Sequence, residues 1–233
     1  MQIYNRILSP AEIENSYKLV GTRFPAPLPT YYSHSFLENS FGTYNVIVRR
    51  QLSNAYLVVC GKGTPSAGPT PWTASFNSFI TSQSLALIVN VGGRMFNILG
   101  MPLGNLPAAT YSGSITGASV YGGGGQHCTV TLFENIRQNN STYAGNTAGG
   151  WAASLTINQP CTYGDMGFMW AGKIIGTMTY PDITVINTES DDWRQATGYR
   201  QNFTKGSTTL ALSQLSETTT NTSLLTTALK KLQ

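Results

Sequence analysis

The chain has 233 residues, a formal net charge of +4 and only 10% charged side chains, against about 25% in an ordinary soluble domain. Its 29 Thr, 21 Ser and 17 Asn put hydroxyls and amides where charges normally face water. This balance excludes disorder by composition, which needs low hydrophobicity with high net charge. Basic residues that touch only at Arg49-Arg50 and Lys230-Lys231 exclude the clustered cations of a nucleic-acid groove.

Residues 1–32 read as an arm. Gln2 to Arg6 has the pattern of a short strand. Ser9-Pro10-Ala11-Glu12 is a helix start, with Ser9 as N-cap, Pro10 at the first helical position and Glu12 closing a capping box. Ile13, Tyr17 and Leu19 supply the apolar side of a short helix that ends before Gly21. Pro25, Pro27 and Pro29 then space an extended, semi-rigid linker. The opening residues lack the apolar core of a secretory signal, so export by that route is not expected.

Residues 33–212 change to a period of two, the signature of strands with one face turned to a core. Asn45–Val48, Tyr56–Cys60, Leu85–Val89 and Met95–Leu99 are strand-like, the last two joined across Gly92-Gly93 as a hairpin. Ser114–Tyr121, His127–Phe133, Trp151–Ile157, Met166–Ala171, Ile183–Asn187 and Thr208–Leu212 continue the series. Turn-rich segments separate them, and no helical pattern long enough for a parallel crossover intervenes. Residues 213–233 form a polar tail in which Ser223 to Lys231 has helical spacing and lysines in its last turn. The expectation is a mainly β protein: an antiparallel two-sheet sandwich, immunoglobulin-like or jelly-roll-like, with short N- and C-terminal helices.

Signatures of chemistry are sparse. Cys60, Cys128 and Cys161 form no CxxC pair, and His34 and His127 lack metal-ligand spacing. His127 and Cys128 are neighbours in an extended run and therefore point to opposite faces. Asp191-Asp192, Asp165 and Asp182 sit in turn-like segments and fix no carboxylate pair. Gly122 to Gly125 lacks the Lys-Ser/Thr and the helix start of a phosphate loop. The most apolar stretch, Leu85 to Leu103, is broken by Gly92, Gly93, Arg94 and Asn97, which excludes a membrane-spanning helix. No catalytic residue, cofactor or metal is expected. Trp72 and Trp193, set among turn residues, are the candidates for surface or glycan contact, where an aromatic face can cover a sugar ring. Ile3, Tyr4, Ile13 and Tyr17 at one end, with Leu224, Leu225 and Leu229 at the other, are the candidate assembly contacts.

Ile3-Tyr4-Asn5-Arg6-Ile7-Leu8-Ser9-Pro10-Ala11-Glu12-Ile13 resembles the closing strand and trailing helix of laminin-G-like (concanavalin A-like) jelly rolls. The rest of that domain has no counterpart here, so the resemblance carries no sugar or calcium site; it implies a segment of the kind that joins modules in adhesive and virion proteins. Further segments resemble immunoglobulin-like modules in bacterial surface and bacteriophage structural proteins: Asn54–Val59 their early strand, Cys128–Leu132 their "TVTVT" strand, Phe133–Gln138 the connecting segment after it, and Trp151–Ile157 followed by Gly164–Phe168 their late strand pair.

A hydroxyl-rich surface without an export signal fits a protein assembled in a cytoplasm and released by lysis, and unpaired cysteines fit folding in a reducing compartment. The expected function is that of a non-enzymatic virion structural protein of a tailed bacteriophage, a capsid decoration, head-fibre or tail-fibre component. Its expected partners are sister copies and other virion proteins, with neither nucleic-acid binding nor membrane insertion. The alternative is a carbohydrate-binding or adhesin module attaching to cell-surface glycans.

Overall fold

A computed structural model of the chain describes residues 9–12, 26–38, 42–63, 73–77, 80–89, 95–116, 127–138, 146–150, 154–173, 178–179, 183–188, 195–201, 206–214 and 222–233. Seventeen strands run through them: β1 (Thr30–Glu38), β2 (Thr43–Val48), β3 (Leu52–Gly63), β4 (Thr73–Phe76), β5 (Ile80–Thr81), β6 (Gln83–Val89), β7 (Met95–Leu106), β8 (Ala109–Thr116) and β9 (His127–Glu134), followed by β10 (Asn146–Gly150), β11 (Ser154–Cys161), β12 (Met166–Lys173), β13 (Met178–Thr179), β14 (Thr184–Thr188), β15 (Gln195–Gln201), β16 (Gly206–Gln214) and β17 (Thr222–Leu229).

The strands form four antiparallel sheets instead of the two expected. Sheet I is β2-β8-β4-β5, sheet II β1-β9-β3-β7-β6, sheet III β10-β17-β12-β15-β14 and sheet IV β11-β16-β13. Burial patterns give their stacking order. On β2, Tyr44, Val46 and Val48 are buried while Thr43, Asn45 and Ile47 face out, as in a sheet with one solvated face. On β3 every residue from Ala55 to Gly61 is buried, so sheet II is covered on both faces. One core joins Val46, Phe76 and Ile115 of sheet I to Leu57, Val59, Met101 and Leu132 of sheet II. A second joins Tyr56, Val58, Ile98 and Phe133 on the opposite face of sheet II to Met166, Phe168, Trp170, Leu225 and Leu229 of sheet III. Edge-on contact of Phe133 with Phe168, centroids 5.7 Å apart, locks those two sheets by a geometry that aromatic rings favour.

Sheet III is likewise covered on both faces, with Met166–Ala171 and Ser223–Leu229 continuously buried. Sheet IV lies against its far side. Alternate residues Ile157, Gln159 and Cys161 of β11 are buried, and Gln159 Oε1 accepts a hydrogen bond from Thr226 Oγ1 at 2.7 Å.

The C-terminal expectation is overturned. Residues 222–229 are a strand between β10 and β12, and the expected terminal helix does not form. Because Trp170 pairs with Leu225 and Met166 with Leu229, the leucines serve the second core, and the β-branched Thr222, Thr226 and Thr227 suit an extended backbone. At the other end, Pro10–Glu12 are helical. The capping box is formed: Ser9 N–H donates to Glu12 Oε2 at 2.9 Å and Glu12 N–H to Ser9 Oγ at 3.3 Å. The remainder of that expected helix, and the strand before it, lie outside the described residues.

Gly113 of β8 marks the tightest approach inside sheet I. A Cβ there would collide with the Tyr44 ring and the Ser75 carbonyl oxygen, which are themselves joined by a 2.8 Å hydrogen bond from the Tyr44 hydroxyl. Gly113→Ala is expected to cost about 3 kcal/mol through overpacking, read as a lowered urea midpoint with an unchanged m-value.

Candidate functional site

Three places concentrate polar chemistry, and the first is a cleft of about 570 Å3 between sheet I and sheet II. It is bounded by β1, an edge strand of sheet II, and β2, an edge strand of sheet I, and among the described residues no strand pairs with the outer edge of β2. Ser33 pairs with Leu132 and Ser35 with Val130, which places both serines on the face that carries the first core. They line the cleft beside Leu57, Val130 and Leu132. The opposite wall is the edge of β2 at Asn45, Val46 and Ile47.

One end of the cleft is closed by Tyr32, which packs on the first core and accepts the Arg49 backbone N–H on its hydroxyl at 2.7 Å. Arg50 is committed elsewhere: its guanidinium pairs with the buried Glu134 carboxylate, at 2.9 Å through one of its two contacts, and lies 5.3 Å from the Tyr32 ring centroid. Arg49 is exposed and is the cation that lines the cleft.

His34 occupies the other face of β1. It pairs with Thr131, and its Nδ1 lies 2.9 Å from the Thr131 hydroxyl, while Nε2 is buried with no hydrogen-bond partner. Burial lowers the imidazole to about 4, because the charged ring would lose its hydration there. The unfolded ring titrates near 6.5, so unfolded chains bind the extra proton between those values. The stability that His34 contributes is complete above pH 6.5 and is lost as pH falls towards 4. After solvent screening of a ring that is only partly buried, the loss is about 1–2 kcal/mol. Urea titrations at pH 7 and pH 4.5 are expected to show this drop, and His34→Gln to lack it.

Asp165 forms the third place. It ends the turn Thr162–Asp165 between β11 and β12, closed by its own N–H on the Thr162 carbonyl at 3.0 Å. Its buried carboxylate accepts from Thr162 N–H at 2.7 Å, Thr162 Oγ1 at 2.8 Å, Lys230 Nζ at 2.9 Å and Lys231 N–H at 3.0 Å. Burial pushes this carboxyl up, but the Thr162 backbone, the Lys230 ammonium, the Lys231 backbone and the Thr162 hydroxyl together outweigh it and hold the group below its ordinary value. The turn role expected of Asp165 is present, with the added task of fastening the segment that follows β17.

The cysteines are buried. Cys60 faces the second core and Cys128 the first, so the sheet separates them; burial raises both thiols, Cys128 to about 12, a state in which a thiol is inert. Among the described residues no group of three His, Cys, Asp or Glu could hold a metal ion, and no helix is long and apolar enough to cross a membrane. Of the residues singled out from sequence as assembly contacts, Leu224, Leu225 and Leu229 are fully buried within the chain. Trp72, Trp193, Ile3, Tyr4, Ile13 and Tyr17 lie outside the described residues. Sequence reasoning passed over the cleft; its available signal was the uncharged run Thr43–Val48, free of Gly and Pro. Comparison with protein-family models, with curated proteins and with solved structures found no match.

Proposed function

We propose that this chain is a non-enzymatic structural protein of a virion, of the tailed-bacteriophage kind, acting through contacts with sister copies and other virion proteins. The observation that supports this reading best is the outer face of sheet I. Thr73 and Thr116 hydroxyls meet at 2.8 Å, as do those of Ser75 and Ser114. The register continues this surface through Thr43 opposite Ser114 and Asn45 opposite Ser112. A face of hydroxyls and amides with Ile47 exposed among them can be packed against copies of itself without like-charge repulsion, and its contacts are insensitive to salt because few Coulomb terms are there to be screened. Behind it stand three further stacked sheets, a rigid and closely packed support. The N-terminal resemblance to module-joining segments and the immunoglobulin-like strand phrases fit the same occupation.

The test is mass spectrometry of particles purified from lysed source cultures, together with the size-exclusion mass of the isolated chain. The expected result is the chain in purified particles at a fixed multiple copy number. Its absence from particles, with a soluble monomer in the supernatant, would overturn the reading.

A further inference from the structure

Sheet edges expose rows of unpaired N–H and C=O groups, and proteins that avoid adventitious pairing disrupt those rows. Here the edges are treated unequally. Register shifts interrupt β1 at Tyr31/Ser33, β6 at Ser84/Ala86 and β14 at Val185/Asn187. Among the other edges, β10 ends in Gly149-Gly150, β11 contains Pro160, and β5 and β13 are two residues long. β2 carries no such device: Thr43–Val48 pairs with β8 in unbroken register, contains no Gly, Pro or charge, and presents Ile47 at 59% exposure. It is also the edge beside the cleft.

We propose that the cleft is an acceptor groove for an extended peptide arm of another protein chain, which pairs with β2 as a fifth strand of sheet I. Only an extended backbone supplies the ladder of partners that β2 lacks on its outer edge among the described residues. Alternate side chains of the arm then point at Ser33, Ser35 and Leu132, where the small serines leave room for apolar groups, and the intervening ones lie beside Asn45 and Ile47. The edge strand of a second folded copy cannot take this place, because β1 already lies beneath it and would meet the sheet that accompanies such a strand. The exposed Arg49 beyond the end of β2 calls for a carboxylate on the arm at that end. This assignment does not depend on the virion reading: one concerns peptide docking by the purified chain, the other its presence in particles.

The test uses the full chain and two labelled synthetic peptides, acetyl-Asp-Thr-Val-Thr-Val-Thr-Val-amide, whose acidic end reaches Arg49 when the arm runs antiparallel to β2 like every other strand pair here, and the same peptide with Lys in place of Asp, with binding followed by fluorescence anisotropy. The wild-type chain is expected to prefer the Asp-ended peptide by about fivefold, and Arg49→Glu to reverse the preference. Ser35→Trp, which fills the cleft, is expected to weaken both peptides by about tenfold, with circular dichroism and thermal midpoint showing that it folds. Hydrogen exchange is expected to slow at residues 43–48 on peptide binding. The proposal is overturned by equal binding to Ser35→Trp, by slowing confined to other strands, or by no binding at millimolar peptide. Concentration-dependent slowing of β2 without peptide also overturns it, in favour of a second copy.

Discussion

Removal of residues 222–233 is expected to leave a chain with no cooperative unfolding transition. β17 lies between β10 and β12, so its loss strips both neighbours of a ladder and opens two sheet interfaces at once: Leu225 and Leu229 leave the core shared with sheet II, and Thr226 leaves its bond to Gln159 of sheet IV. Unsatisfied interior N–H and C=O groups add to the lost apolar burial. The expected product binds a hydrophobic dye and melts without a sigmoid. Leu225→Ala gives the graded form of the same test. Its side chain is fully buried opposite Trp170, and truncation is expected to cost about 2–5 kcal/mol, whereas a leucine on a frayed tail would cost almost nothing. Urea unfolding followed by tryptophan fluorescence measures the difference.

The second large effect is expected at Asp165. Asp165→Ala removes the acceptor of four hydrogen bonds, two of them from backbone N–H groups, and takes away the carboxylate that the Lys230 ammonium pairs with. A cost of about 3 kcal/mol follows, because four hydrogen bonds to one buried carboxylate, one of them from an ammonium, are lost together. The loss is also local in origin, since Asp165 links the β11–β12 turn to the backbone after β17. There Arg137 N–H donates to the Lys230 carbonyl at 2.9 Å and Ile136 bridges to Lys231. The pH dependence follows from the lowered carboxyl. Folded Asp165 binds its proton less readily than the unfolded residue, so its contribution is complete above about pH 4 and declines as pH falls through the folded value. Asp165→Asn is expected to flatten the acid limb of the stability profile below pH 4, while the decline between pH 6.5 and 4 assigned to His34 persists.

How much of this was legible in the sequence depended on how many faces of a strand are buried. β2 and β11 belong to outer sheets, where a half-buried strand must alternate, and that alternation is visible in Tyr44, Val46 and Val48. The interior strands β3 and β12 were legible for a different reason, as continuous apolar runs. β15 and β17 are interior yet interrupt their apolar residues with small and hydroxyl side chains, Ala196, Thr197 and Gly198 in the one and Ser223, Thr226, Thr227 and Ala228 in the other, which fit between closely spaced layers. Thr197, for example, donates to Thr129 across the second interface at 3.4 Å. Such strands carry neither alternation nor an apolar run. In Ser223–Leu229 the spacing of Leu224, Leu225, Ala228 and Leu229 matched one side of a helix, a short-run ambiguity that periodicity alone does not resolve. The cleft was illegible because it forms between the edge strands of two different sheets, a property of strand order and not of any one segment.

Native-state hydrogen exchange at residues 222–229 tests the four-sheet arrangement most directly. If β17 is a middle strand of an inner sheet, its amides exchange only with global unfolding, as slowly as those of β3 and β12. Exchange within seconds, at the rate of an unstructured terminus, would contradict the account.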